Sequence, residues 1–208
     1  MATRTEAPVS LEAGDNLTRE EFHRRYCARP DIKKAELIDG VVFVPSPVRG
    51  DYHGKPHGFV MLWLGTYAVG KPGVECMDNT TLLLDGAVEV QPDAMLWRPV
   101  GSVPHMNERG FVVGAPQLIV EVAASSASYD LHQKKEVYRR NGVPEYVVWR
   151  VLDEAIDWFR LQNGTYVLVH PDADGLIESE QFPGLHLHVA SLLAGDLAAV
   201  LSYLRGTA

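Results

Sequence analysis

Residues 117–122 read Gln-Leu-Ile-Val-Glu-Val, an apolar run interrupted by a single carboxylate, Glu121. A short apolar run of this length is typical of a strand that is buried on both faces. Residues 145–151 form a second such run, and a helix that ends near Asn141, before the cap residue Gly142, is predicted between the two. Two buried strands joined by a helix are the pattern of a sheet with helices packed on it.

The sequence on either side of this centre contains further helix and strand patterns. Thr18 and Glu21 make a capping box at the first helix, and Asp39-Gly40 is a strong two-residue hairpin turn. Helices are predicted over residues 18–29, 56–68 and 191–204, and strands over residues 35–38, 41–44, 74–77, 81–84, 94–97, 156–161 and 166–169. We therefore predict an α/β fold with a mixed central β-sheet flanked by helices, and with an added C-terminal hairpin and helix.

Length and composition are those of an ordinary globular protein. The chain has 208 residues, of which 46% are hydrophobic and 22% charged, so it can bury a full core without disulfides. The apolar pattern continues to Leu204, and we predict a flexible N-terminal arm over residues 1–16 followed by a single domain over residues 17–208. The two cysteines, Cys27 and Cys76, have no metal-binding spacing and indicate a reducing compartment.

Charge and hydropathy bear on the partners of the chain. No apolar run approaches the roughly 18 residues that span a bilayer, and residues 1–14 lack the order of a signal peptide, so we expect a cytoplasmic protein without a membrane partner. The net charge of -8 argues against broad, nonspecific binding to nucleic acid, which needs lysine and arginine to neutralise phosphates. It is compatible with a local basic patch, and with an acidic metal site whose charge a cation would cancel.

Two carboxylates stand beside or within predicted apolar strands. Asp93 follows Pro92 and precedes the predicted strand 94–97, and Glu121 lies inside the run 117–122. A carboxylate in such a position is costly to bury unless it is paired or binds a cation. The alternatives are a turn aspartate after a proline for Asp93, and a glutamate paired with a lysine or arginine for Glu121.

The predicted helix after Glu121 carries three polar residues at four-residue spacing. Asp130, Lys134 and Tyr138 therefore share one helix face. Taken alone, Lys134 would be interpreted as a solvated helix lysine, and Lys135 is an alternative candidate because the sequence does not give the orientation of the helix. The spacing favours a face on which all three side chains point to one site.

Asp93 and Glu121 repel each other, if neighbouring strands bring them together, unless a divalent ion lies between them. Hard cations such as Mg²⁺ prefer oxygen ligands and keep several waters. The chemistry that needs this arrangement is the attack of a metal-activated water on a phosphodiester, with a nearby ammonium that stabilises the developing charge. Asp93, Glu121 and Lys134 are therefore predicted to form a metal-dependent site of the nuclease type.

His53 and His57 are four residues apart, with Pro56 between them. On one helix they could share a face and bind a metal. The proline argues against a continuous helix, which favours loop and helix-start histidines without a common role. We expect His57 near the site, as a phosphate or substrate contact.

Five short pieces of the sequence occur in a characteristic order and spacing. They are Glu36-Leu37-Ile38-Asp39-Gly40, Gln91-Pro92-Asp93, Val120-Glu121-Val122, Asp130-x-x-x-Lys134-x-x-x-Tyr138 and Gly142-Val143-Pro144-Glu145-Tyr146. Each piece is weak alone, but the combination is specific. In this order the pieces resemble the Pro-Asp…(Asp/Glu)-x-Lys nuclease superfamily, and more closely the Uma2 family of predicted restriction endonucleases.

The resemblance implies a restriction-endonuclease-like core, Mg²⁺ or Mn²⁺ as cofactor, and hydrolysis of DNA phosphodiesters. It implies that Asp93, Glu121 and the backbone carbonyl of Val122 are metal ligands, and that Lys134 is the catalytic lysine. Glu36 would complete the acidic cluster, although a surface residue that opens a hairpin is an equally simple interpretation. The residues predicted to support the site are Glu36, His57, Asp130 and Tyr138.

The sequence departs from the superfamily pattern in two places. The lysine usually lies two residues after the glutamate, where this chain has Ala123, so the resemblance requires Lys134 from the helix instead. The family commonly has Ser-Pro-Ser after the Glu-Val pair, where this chain has Ala124-Ser125-Ser126. We expect the second change to affect the shape of the loop.

We predict a metal-dependent DNA endonuclease, a hydrolase acting on ester bonds, that works as a homodimer with Mg²⁺ or Mn²⁺. The alternative is a catalytically weak nucleic-acid-binding or regulatory module that keeps the nuclease fold, which the acidic net charge favours. A third interpretation is a general hydrolase that uses the two carboxylates as acid and base, but the sequence lacks an aromatic set for a sugar-binding cleft. RNA stays open beside DNA as a substrate.

Overall fold

The computed structural model describes residues 10–45, 49–101, 103–124 and 126–205. The strands in these ranges are β1 (Glu36–Ile38), β2 (Val41–Phe43), β3 (Glu75–Asp78), β4 (Leu82–Leu83), β5 (Glu89–Val90), β6 (Ala94–Trp97), β7 (His105–Met106), β8 (Val112–Val113), β9 (Leu118–Ala123), β10 (Glu145–Arg150), β11 (Ala155–Gln162), β12 (Thr165–Val169), β13 (Leu176–Glu178) and β14 (His186–His188). The α-helices are α1 (Arg19–Cys27), α2 (Lys55–Val69), α3 (Ala127–Tyr129), α4 (Lys135–Arg140), α5 (Val189–Leu193) and α6 (Leu197–Arg205). None of these helices is long and apolar enough to cross a membrane.

The described strands form two six-stranded sheets and a small hairpin, β13-β14. The central sheet has the order β12-β11-β10-β9-β6-β3, and the second sheet has the order β2-β1-β5-β4-β8-β7. In the central sheet, β9 and β10 are parallel and β6 runs antiparallel to β9. Parallel neighbours need a crossover connection, which the helical segment with α3 and α4 provides. The prediction of a mixed sheet flanked by helices is confirmed.

All six residues of β9 are buried, because α2 and α6 cover one face of the sheet, and α4 together with strands of the second sheet covers the other. Successive side chains of a strand point to opposite faces. Leu118 and Val120 pack in the cluster that contains residues of α2 and α6. Ile119 and Ala123 pack on the other face, in the cluster that contains residues of α4. By this alternation Glu121 also points toward α4.

The helical segment between β9 and β10 contains a π-turn, Asp130–Lys134, which joins α3 to α4. A π-turn is wider than an α-turn by one residue and is frequent at functional sites. Asp130 and Lys134, at its two ends, are both buried. The segment therefore turns charged side chains inward, over the face of the sheet that carries Glu121.

A second π-turn, Gly50–Gly54, continues directly into α2 and corrects the interpretation of His53 and His57. We expected Pro56 to interrupt the helix between them. It lies instead in the first turn of α2, where a missing N–H is tolerated. The segment is continuous, and the two imidazole rings stack with their centroids 5.7 Å apart.

The C-terminal helix predicted over residues 191–204 is in fact two helices. α5 ends at Leu193 and α6 begins at Leu197, with Gly195 between them at a φ of 74°. A residue in the left-handed region ends a helix, and glycine adopts that conformation without steric cost. α6 packs on α2 and buries Val200 in the core.

Residues 10–16 contact the hairpin formed by β1 and β2. Leu11 is buried, and the Gly14 N–H donates to the Val42 carbonyl at 2.8 Å. Residues 1–9 of the predicted arm lie outside the described residues. The division into an arm and one domain stays a prediction.

Candidate metal centre

Two acidic side chains predicted for the site come from adjacent strands of the central sheet. Asp93 directly precedes β6, Glu121 lies in β9, and the register of these strands pairs Ala94 with Val120. Glu36 reaches the same place from β1 of the second sheet. All three acidic side chains are buried. The candidate site therefore lies where the two sheets meet, beneath the π-turn between α3 and α4.

Asp93 is held by three donors. Its Oδ2 accepts from the backbone N–H of Val122 at 2.8 Å and lies 3.2 Å from His53 Nε2, and its Oδ1 lies 3.1 Å from Lys34 Nζ. Burial alone would raise the pKa of Asp93, but the hydrogen bond from His53 and the charge of Lys34 outweigh it and hold the pKa well below its ordinary value. Asp93 is therefore ionised at neutral pH.

Glu121 accepts two hydrogen bonds on one oxygen. Lys134 Nζ and the Tyr138 hydroxyl both donate to Oε1 at 2.9 Å. Burial raises the pKa of Glu121 to about 8 against the attraction of Lys134, and repulsion from Asp93 adds to the increase. Because both bonds fall on Oε1, the second carboxylate oxygen, Oε2, is the one that would ligate an ion.

Lys134 is 3% exposed and points into the acidic cluster. Its Nζ lies 2.9 Å from Glu121 Oε1, 3.0 Å from Glu36 Oε1 and 3.8 Å from Asp130 Oδ1. Burial disfavours the charged ammonium, but the charges of Glu121 and Glu36 outweigh burial and raise the pKa of Lys134 well above its ordinary value. Lys134 therefore stays charged.

Lys135, the alternative candidate for the lysine, points elsewhere. Its Nζ lies 3.6 Å from the centre of the Phe159 ring. Asp130 is buried next to Lys134, and burial raises the pKa of its carboxyl group. Asp130, Lys134 and Tyr138 thus face one site, and the structure brings Lys134 rather than Lys135 to the carboxylates.

Charge in the site is unbalanced toward the negative. Four carboxyl groups surround two lysines, namely Glu36, Asp93, Glu121 and Asp130 around Lys34 and Lys134. Burial and neighbouring carboxylates both favour the neutral acid at Glu121 and Asp130, which is why the pKa of each is raised. With all four carboxyl groups ionised the site carries two excess negative charges, which one divalent cation would neutralise.

The donor set fits a hard divalent ion. Across the described residues, no three carboxylate, imidazole or thiol side chains stand close enough to hold a metal by themselves. An ion held by Asp93 and Glu121 would need a backbone carbonyl and waters to complete its coordination, and Mg²⁺ usually keeps several waters. The buried hydroxyl of Tyr129 has no hydrogen-bond partner among the described atoms, and Glu36 contributes to its raised pKa after burial. A buried hydroxyl without a partner is a group that a bound water would satisfy.

The solvent side of Asp93 carries side chains that the sequence did not assign securely. His57 Nε2 lies 2.9 Å from the Asp93 carbonyl oxygen and 3.1 Å from Asp78 Oδ1, so the structure brings His57 to the site. Lys34 was missed by sequence reasoning. Its position two residues before Glu36 was an available signal, because side chains two apart in an extended segment share a face.

Fold and site together define the class of the protein. A mixed sheet covered by helices, with carboxylates on adjacent strands beside a buried lysine, is the arrangement of a restriction-endonuclease-like α/β protein. The family described as "Uma2: Putative restriction endonuclease" matches residues 19–190. The chain belongs to this Uma2 family, which confirms the resemblance found in the sequence, and membership supports a nuclease function.

A solved structure has the same fold. The crystal structure of "a putative nuclease belonging to DUF820 from Anabaena variabilis ATCC 29413" is similar to this chain with a TM-score of 0.60 and 15% sequence identity. The match covers 82% of this chain and 90% of that chain. At this level of identity the likeness shows the fold alone. No curated protein matches the chain.

Proposed function

We propose that the protein is a metal-dependent endonuclease that hydrolyses phosphodiester bonds of DNA, with Mg²⁺ as cofactor and Mn²⁺ as a substitute. The observation that carries the proposal is the buried Lys134, which pairs with Glu121 at 2.9 Å while Asp93 stands at the start of the adjacent strand. A lysine beside two such carboxylates offers both a cation site and a positive charge for the transition state. Membership of the Uma2 family supports the nuclease class.

Three groups of the central sheet would hold the ion. Asp93 and Glu121 would supply carboxylate oxygens, and the backbone carbonyl of Val122 would be the third protein ligand. The N–H of Val122 donates to Asp93 Oδ2 at 2.8 Å. Because the N–H and C=O of one residue in an extended strand point to the same side, the Val122 carbonyl is directed toward the Asp93 side as well.

Residues of the chain would position the reaction. When bound, the ion would lower the pKa of a water molecule and neutralise charge on the phosphate. Lys134 would stabilise the charge that develops as the water oxygen bonds to phosphorus and the P–O bond to the leaving oxygen breaks. The water loses a proton and the leaving oxygen gains one, so the products are a phosphate monoester and a free hydroxyl. Glu36 would hold Lys134 in place from 3.0 Å.

The acidic balance of the chain makes the ion part of substrate binding. A net charge of -8 repels a phosphate backbone, and a bound divalent ion would remove the local part of that repulsion. One site of this kind cuts one strand at a time, so we include in the proposal a homodimer that would cut both strands of a duplex. We also place the protein in the cytoplasm, in line with its free cysteines.

The test is a cleavage assay with purified protein, supercoiled plasmid DNA, and Mg²⁺ or Mn²⁺, with RNA as a second substrate. The wild type is expected to nick or cut the plasmid, and Asp93→Ala is expected to abolish cleavage while the variant still unfolds cooperatively. Asp174→Ala, at an exposed aspartate in the loop before β13, is the matched control. Metal-dependent cleavage that survives unchanged in Asp93→Ala would overturn the site assignment.

A second candidate is a catalytically weak binding or regulatory module that keeps this fold. It is favoured by the contacts that Glu121 already has without an ion, since Lys134 and Tyr138 both donate to its Oε1. Titration calorimetry with Mn²⁺ separates the two candidates. Binding that is lost in Asp93→Ala supports the nuclease, and the absence of any binding at millimolar Mn²⁺ supports the module.

A further inference from the structure

The nitrogen donors around the two carboxylates differ in their access to solvent. The Lys134 side chain is 3% exposed and is enclosed by acidic groups, whereas the Lys34 side chain is 23% exposed and the His53 side chain 20% exposed. Both half-buried groups contact Asp93, with Lys34 Nζ 3.1 Å from Oδ1 and His53 Nε2 3.2 Å from Oδ2. Lys34 and His53 therefore line the open side of the site.

Asp93 cannot keep all of these contacts and also ligate an ion. Its Oδ2 already accepts from Val122 and His53, and its Oδ1 faces Lys34. An ion on this carboxylate would repel the ammonium group, because two cations would compete for one anion at contact distance. Lys34 has a flexible side chain, and Asn79 Oδ1 already lies 3.4 Å from its Nζ. The ammonium would thus leave Asp93 but stay at the mouth of the site.

We propose that Lys34 and His53 form a phosphate-binding subsite for the nucleic-acid substrate. They contact Asp93 while no ion is bound, and they contact the phosphodiester once an ion is bound to the carboxylate. The inference rests on the proposed function, because the ion comes from that proposal. It adds two substrate-binding residues to the site, and it explains how a chain with a net charge of -8 presents positive charge to a phosphate.

His57 has a different part in this subsite. Its Nε2 is already occupied by the Asp93 carbonyl oxygen at 2.9 Å and by Asp78 Oδ1 at 3.1 Å. Its ring stacks on that of His53, with His57 in the first turns of α2 and His53 in the adjoining π-turn Gly50–Gly54. His57 is therefore a positioning residue that orients the His53 ring. His53 makes the contact with the phosphate.

The test compares Lys34→Met with Lys33→Met, which removes the same charge from the neighbouring exposed position. Two quantities are measured for each variant. The first is the affinity for Mn²⁺ without DNA, by titration calorimetry. The second is the affinity for a short fluorescent DNA duplex by anisotropy over a range of salt concentrations, in Ca²⁺, a hard cation that also takes oxygen ligands.

Lys34→Met is expected to bind Mn²⁺ about thirtyfold more tightly than Lys33→Met, which is the effect of removing one unit charge about 4 Å from a divalent ion in water. It is expected to bind DNA about tenfold more weakly, as for the loss of one charge-assisted hydrogen bond. The slope of log K against log salt should fall by about 0.9. Lys34→Arg should restore DNA affinity. A merely structural defect would weaken both kinds of binding.

His53→Gln, with the exposed His105→Gln as its control, tests the second residue and keeps the proposal testable if Lys34→Met does not fold. It is expected to weaken DNA binding about fivefold, as for one hydrogen bond. Equal DNA affinity and equal salt slope in each variant and its control would overturn the subsite and leave the nuclease proposal standing. A wild type that neither binds Mn²⁺ nor cleaves DNA would instead overturn the proposed function, and the subsite with it.

Discussion

At the scale of single residues, Lys134 bears on both the stability of the fold and the chemistry of the candidate site. Its ammonium lies between Glu121 and Glu36, at 2.9 and 3.0 Å, and all three side chains are buried. Removing one partner of a buried ion pair leaves an uncompensated charge, which costs more than the intact pair contributes. Any variant at this position therefore has to be assessed for stability as well as for activity.

Lys134→Met is expected to lower the free energy of unfolding by about 3–5 kcal/mol, because Glu121 and Glu36 lose their shared cation. Lys135→Met is the matched control, since Lys135 lies over the Phe159 ring, and it should cost less than about 1 kcal/mol. Urea unfolding in buffer without divalent ions, followed by circular dichroism, measures both. Equal losses in the two variants would contradict the placement of Lys134 in the acidic cluster.

Glu121 should make ion binding depend on pH. Its pKa is raised to about 8 by burial, and a carboxyl group must lose its proton before it ligates a cation. The affinity for Mg²⁺ is therefore expected to rise between pH of about 6 and about 8, by up to about tenfold per unit, and to level off above. Calorimetry in two buffers of different ionisation enthalpy counts the protons released. An affinity for Mg²⁺ that does not change over this pH range would show that Glu121 is not a ligand of the ion.

At the scale of elements, two π-turns place the polar side chains of the site. Gly50–Gly54 carries His53 to the Asp93 carboxylate, and Asp130–Lys134 carries Lys134 to Glu121. Each π-turn adjoins a regular α-helix, α2 or α4, that packs on the central sheet. Because these helices are anchored in the core, each π-turn is fixed at the end where it joins its helix.

Two glycines of the helical layer are expected to respond oppositely to alanine. Gly65 lies inside α2 with open space at its Cβ position, so Gly65→Ala should raise the free energy of unfolding by about 0.5–1 kcal/mol. Gly195 has a φ of 74°, which strains an L side chain, so Gly195→Ala should lower it by about 1–2 kcal/mol. Urea unfolding of both variants checks the signs. A stabilising Gly195→Ala would contradict the break between α5 and α6.

At the scale of the whole molecule, the site is assembled from distant parts of the chain. Glu36 comes from the second sheet, Asp93 and Glu121 from the central sheet, and Lys134 from the helical crossover. The unfolded chain does not hold these groups together. An ion that binds only the assembled site therefore stabilises the folded state by mass action.

Mn²⁺ at about 100 times its dissociation constant is expected to raise the free energy of unfolding by about 2.7 kcal/mol. The increase should disappear when EDTA removes the ion. It should also be absent in Asp93→Ala and present in Asp174→Ala. Thermal unfolding with and without Mn²⁺ measures the effect, and an equal increase in Asp93→Ala would mean that the stabilising ion binds elsewhere.

The central sheet could be predicted from the sequence because a run of apolar residues directly reports burial on both faces. The predicted strand over residues 94–97 matches β6, and β9 and β10 lie within one residue of prediction at each end. The C-terminal helix was predicted less well. Gly195 lies in the break between α5 and α6, but a single glycine within an amphipathic pattern does not by itself indicate a left-handed conformation.

Asp93 and Glu121 could be identified as candidates from the sequence alone, because a carboxylate next to buried strands requires a partner whatever the fold around it. Only the tertiary structure decided which partners they have. Lys34 is 59 residues and His53 is 40 residues away from Asp93 along the chain. The orientation of the helical segment determines that Lys134, and not Lys135, reaches the carboxylates. The order of apolar residues within a segment indicates whether that segment is buried. Contacts between distant charged residues depend instead on the register of the strands and on the orientation of the helices that pack against the sheet.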